Sequence, residues 1–132
     1  MSIAALYAEI RRLEIQIDDY NNEIIDLEQY KSKLEPLLES LTTLKSSVDE
    51  YDITYGDHWR GDLEQEGEQY SESIKSGIDT SVTGTNALID SIDAAIAEIL
   101  RRIEECYKRI AECYAEIARL EAEAARAEAQ AS

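Results

Sequence analysis

Apolar residues recur along this chain in alternating steps of three and four, first over residues 3–48 and again over residues 89–131. The first tract runs Ile3, Leu6, Ile10, Leu13, Ile17, Tyr20, Ile24, Leu27, Leu34, Leu38, Leu41 and Val48, broken at Lys31 and Lys45. A 3.5-residue repeat sustained this long predicts a coiled-coil helix, because it keeps one face turned towards a partner. At 1.5 Å per residue such a helix is about 70 Å long. Pro36 removes a backbone donor, which predicts a kink near Ser32–Lys33. Ile15, Ile25 and Tyr30 lie off the seam and predict more than one helical neighbour.

The second tract is Ile89, Ile92, Ile96, Ile99, Ile103, Cys106, Ile110, Cys113, Ile117, Leu120, Ala124, Ala127 and Ala131, without a miss. Glu98–Arg102, Glu104–Lys108 and Glu105–Arg109 are pairs in the favourable helical order. The closing alanines favour helix but bury little, so fraying is expected there.

Residues 49–88 are different. Asp52 to His58 interrupts the heptads and reads as a turn, with Gly56 free to adopt a left-handed step and Asp57 suited to an N-cap. Apolar residues resume at Trp59, Leu63, Tyr70, Ile74, Ile78 and Val82, mainly in steps of four, so the seam is expected to drift. Gly77, Gly84 and the run Thr80–Thr85 weaken the helix. The fold class expected is all-α: an elongated antiparallel helical hairpin, or coiled coil, forming one domain over 1–132. Its elements are a helix over about 3–50, a turn over about 51–57 and a helix over about 58–128. The second helix is expected to be kinked or broken near 77–85, two separate helices being the alternative.

Unequal arms carry a consequence. Folding back from a turn at 52–57, the first helix would reach only to about residue 106. Ile110, Cys113, Ile117 and Leu120 would then form an unpaired apolar stripe needing a partner helix or a second copy.

The formal charge is -16, from 29 acids against 13 bases. Nucleic-acid binding is disfavoured, because phosphate contacts need cationic side chains. Anionic membrane surfaces are disfavoured on the same ground. Acids concentrate over 49–72 against Arg60 alone, which suits either solubility or a basic partner. MSIAALYAEIRRLE lacks the layout of a signal peptide, and no apolar run is long enough to span a membrane. Cys106 and Cys113 are too far apart on one helix for a disulfide and read as buried thiols of a reducing compartment.

Chemistry has little to work with. His58 stands beside Asp57, Asp52 and Asp62, a weak start for a metal site. A Cys–His pair would need His58 to reach thiols on the apolar seam, where they are inert. No phosphate loop, dinucleotide fingerprint or HExxH motif is present. No enzyme activity, cofactor or metal is expected. Trp59-Arg60-Gly61 is the feature left over: a lone tryptophan after the turn, suited to plug the end of the coil or to anchor a partner.

A helix, a turn bearing Trp59-Arg60-Gly61 and a second helix resemble the WXG100 proteins, small helical hairpins linked to type VII (ESX) secretion. The layout is closer to the YwqH-like helical proteins encoded beside LXG toxins in Gram-positive bacteria. The matching features are Leu6-Tyr7-Ala8-Glu9-Ile10, Trp59-Arg60-Gly61 and the Ile-rich coil from Ile89 to Leu120. The resemblance implies a small partner that binds the helical N-terminal domain of an LXG toxin and helps deliver it. The Tyr-x-x-x-Asp/Glu export signal is absent, since Ala111 and Ala118 follow Tyr107 and Tyr114. The chain is also longer than a usual WXG100 protein.

The function expected is a non-catalytic, targeting or chaperone-like helical partner of such a toxin, cytoplasmic or exported in complex. The contacts expected are Trp59, Gly61, Ile103, Ile110, Ile117 and Leu120. The alternative is a self-associating structural coiled coil, a homo-oligomer unrelated to secretion.

Overall fold

The structure is a computed structural model that describes residues 1–50 and 62–131. These residues form two helices, α1 over Ile3–Glu50 and α2 over Asp62–Ala131. Ser2 caps α1: its hydroxyl accepts from Ala5 N–H at 3.1 Å and its carbonyl from Leu6 N–H at 3.0 Å. The helices pack against each other as an antiparallel hairpin, as the two heptad tracts require. The hairpin falls into two compact units, each built from both helices: Met1–Leu27 with Ala94–Ser132, and Glu28–Asp93.

In the first unit the seam is closed. Leu13, Ile17, Ile99, Ile103 and Cys106 form one buried cluster, joined by Tyr20, Ile24, Leu27 and Ile110. Leu6, Ile10, Cys113 and Ile117 form the next, joined by Ile3, Ile110 and Leu120. Each aliphatic side chain so buried contributes about 1.5–3 kcal/mol relative to its exposed state.

This pairing corrects the expected overhang. Leu6 meets Cys113 and Ile117, so the stripe at 110–120 is covered by the chain's own N-terminus. The reason lies at the other end. Asp49, almost the last residue of α1, pairs with Lys75. The surplus length of α2 is therefore shared between the residues before Lys75 and the exposed alanine-rich tail beyond Leu120, and the apolar stripe at 110–120 is not part of it. Loop closure costs grow slowly with length, whereas four seam residues left in water would each forfeit their burial.

In the second unit Ile78 and Ile92 are buried, while Leu34, Leu38, Leu41 and Val48 are half-buried. The two lysines that break the first tract are explained here. Lys31 Nζ donates to Asp93 at 2.8 Å, and Lys45 Nζ lies 2.7 Å from Asp79. Their stems lie along the seam and their charges reach the partner helix. Each pair is partly exposed and adds little stability, but each specifies the antiparallel register.

Two further expectations change. α2 runs through 77–85 without a break. Tyr70 and Ile74, expected on a drifting seam, are exposed. The face turned to α1 instead continues the strict repeat backwards through Thr85, Val82, Ile78, Lys75 and Ser71. The register set at Ile92 is thus kept through polar positions. Pro36 is also accommodated within continuous α1, on an exposed position. A Cβ built at Gly77 or Gly84 would have nothing within 4 Å, so the hairpin gives no steric reason for either. Each glycine costs the helix about 1 kcal/mol relative to alanine.

Ile117→Ala and Ile10→Ala are each expected to destabilise the hairpin by about 2–5 kcal/mol in urea unfolding followed by circular dichroism. Ile25→Ala, at an exposed position, should cost about 0.5 kcal/mol or less. A negligible loss for Ile117→Ala would restore the unpaired overhang.

Candidate partner-binding surface

The expected contact residues divide into three groups. Trp59 and Gly61 lie outside the described residues, as does His58. Ile103 and Ile117 are buried, at 8% and 3% exposure. Ile110 and Leu120 are half-buried against the same clusters. The structure therefore brings the four C-terminal residues together as core of the first unit, not as an open stripe.

The open stripe lies one step around the helix. Leu100, Tyr107 and Tyr114 are exposed at seven-residue intervals, beside the column Ile103, Ile110, Ile117. Tyr7 of α1 joins them, its ring edge-on to Tyr114 with centroids 6.5 Å apart. Periodicity alone does not single out these residues, because the clean seam next to them dominates the pattern. The signal that could find them is the repeat of apolar residues just outside that seam.

The opposite flank of this unit is charged. Arg109 crosses from α2 to α1, donating through Nε to Glu9 Oε1 at 2.8 Å and through a terminal nitrogen to Oε2 at 3.0 Å. This two-point fork fixes the helices in register as one hydrogen bond could not. The guanidinium holds the Glu9 carboxyl below its usual range. The expected Glu105–Arg109 pair gives way to this bridge, and Glu105 bonds Arg101 instead. The Glu98–Arg102 pair forms as expected at 3.2 Å. With Arg101 donating as well, the Glu98 carboxyl is lowered to about 2.

Both cysteines are free and buried. Burial pushes the Cys113 thiol up, against the pull of Arg109, so it is a neutral core group and not a nucleophile. Among the described residues no cluster of His, Cys, Asp and Glu is placed to hold a metal. None of the helices described is long and apolar enough to cross a membrane.

The Glu9 bridge has a defined pH signature. A carboxylate whose folded pKa is lowered contributes stability above its unfolded pKa and loses it as pH falls through the folded value. The difference in melting temperature between the protein and its Glu9→Gln variant should therefore be constant near neutrality. It should close on acidification below the ordinary carboxylate range. A gap that persists there would mean that the bridge does not form.

No family model, characterised protein or solved structure matches the chain.

Proposed function

We propose that the chain is a non-catalytic helical partner of a larger secreted protein, binding one of that protein's helices along the Leu100–Tyr107–Tyr114 stripe. The carrying observation is this exposed apolar repeat beside a closed seam. Residues at seven-residue spacing on a rigid helix match the anchor positions of an amphipathic helix laid alongside. Tyrosine suits such a site, since it offers large apolar area and a polar tip.

The resemblance to YwqH-like proteins names the partner class: the helical N-terminal domain of an LXG toxin of type VII secretion. The targeting or chaperone-like role follows from it. The contact residues expected from the heptads take a supporting part. Ile103, Ile110 and Ile117 hold the stripe in place from beneath. Trp59 and Gly61 enter the proposal only through the Trp-x-Gly motif that carries the resemblance, since they lie outside the described residues.

Co-expression with the helical N-terminal domain of an LXG toxin tests the reading. A stable complex is expected, lost when Leu100 and Tyr107 are replaced by Asp while helicity by circular dichroism is retained. Asp at Ile110 or Ile117 would make a poorer test, because it would open the hairpin itself. Purification of the chain free of the toxin would sink the proposal. A complex indifferent to the Leu100→Asp and Tyr107→Asp changes would move the interface elsewhere.

A further inference from the structure

The two flanks of the first unit are covered to different degrees. On the Arg109 flank, Glu9, Gln16, Ala95 and Arg109 are half-buried along the seam. On the other flank, Tyr7, Glu14 and Asn21 of α1 and Leu100, Tyr107 and Tyr114 of α2 are all exposed. Tyr7 stands against Tyr114. Counting by heptads along the antiparallel pair from that contact sets Glu14 level with Tyr107 and Asn21 level with Leu100. The open flank therefore has a wall on each helix, and a third helix laid along it would touch both. From Leu100 to Tyr114 it runs about 21 Å at 1.5 Å per residue.

Its charges are left unpaired. On α2, one further step around the helix from the stripe, Ala97, Glu104, Ala111 and Ala118 follow at seven-residue intervals, so Glu104 is the one charge on that wall. On α1 the matching wall carries Glu14 and Asp18, with Arg11 one turn nearer the Tyr114 end. Glu14, Asp18 and Glu104 make no ion pair among the described residues. The Glu104–Lys108 pair expected from its spacing does not form, although Glu98–Arg102 does. The covered flank is the opposite case: Arg109 neutralises Glu9, and Arg101 and Arg102 neutralise Glu98.

This distribution discriminates between helices. An acidic helix on the stripe would meet three carboxylates that no cation of the hairpin offsets, and juxtaposed like charges reject a wrong partner. Lysine or arginine beside the apolar residues of an incoming helix would meet those carboxylates instead. Their stems can lie along the tyrosines and their charges over the ring faces.

We infer that the helix docked on this stripe is a basic amphipathic one, whose apolar residues seat against Leu100, Tyr107 and Tyr114 while flanking Lys or Arg side chains meet Glu14, Asp18 and Glu104. The inference rests on the stripe of the proposed function and adds the chemistry that selects its partner.

Two fluorescein-labelled amphipathic peptides of about four heptads test it, identical in their apolar residues, one flanked by Lys and the other by Glu. Fluorescence anisotropy with the full chain should show the Lys peptide bound and the Glu peptide bound at least about tenfold more weakly. Added salt should weaken the Lys peptide's binding. The triple variant Glu14→Lys/Asp18→Lys/Glu104→Lys should reverse the preference with helicity retained, since all three positions are exposed. Asp19→Lys/Glu23→Lys/Asp26→Lys makes the same change in net charge on the other side of α1 and should leave the preference in place. A Lys peptide that does not bind, or a control variant that reverses the preference as fully as the first, would overturn the inference. Leu100→Asp/Tyr107→Asp separates it from the reading beneath it. Lys-peptide binding that survives this change removes the stripe as the docking surface, and the inference with it. Binding of both peptides alike, lost in this variant, keeps the stripe and overturns the basic character alone.

Discussion

Everything in this hairpin depends on which residue of α1 lies opposite which residue of α2. The register is decided by burial at the N-terminal end, where Leu6 and Ile10 close over Cys113 and Ile117. Any slip by a heptad towards a tighter connection would uncover those C-terminal seam residues. Heptads by themselves tolerate such slips, because each repeat resembles the next. Charged residues remove the degeneracy. Arg109 finds Glu9, Lys45 finds Asp79 and Lys31 finds Asp93 in one register only. Their energetic contribution is small, and their role is selection among alternatives of similar burial.

The two units use the same repeat differently. The first commits its best aliphatic residues to mutual burial and leaves tyrosines and Leu100 along one flank. The second has a thinner seam, with polar Thr85, Lys75 and Ser71 at facing positions, and leaves its large residues on the outside. A two-helix hairpin cannot bury more than one stripe per helix. The apolar positions left outside that stripe are where surfaces for other helices arise.

Helix content, antiparallel pairing and the buried residues of both tracts were legible in the heptad spacing. The register was not. A turn at 52–57 would leave the whole of α2 past residue 106 unpaired, whereas the pairing of Asp49 with Lys75 leaves only the alanine-rich tail past Leu120 over at that end. Lys31 and Lys45 looked like defects because a periodicity count scores polarity at one position and cannot see Asp93 or Asp79 across the gap. Tyr70 and Ile74 misled in the opposite sense: their fours imitated a seam that the register from Ile92 does not use. The exposed apolar stripe moved with the register, from Ile110 and Ile117 to the neighbouring column of Leu100, Tyr107 and Tyr114.

Beyond Leu120 the helix continues to Ala131 with every residue exposed. This tail is attached directly to the best-packed end of the hairpin, yet it contributes no buried residue to it. Traction applied to it would load Leu120 first, then Ile117, then Cys113. Contacts would fail one layer at a time, as in peeling, and would not be sheared together. A fold held by many layers at equilibrium can thus be opened by modest pulling from that end, whereas tension along the two helix axes in opposite directions would meet the whole seam at once.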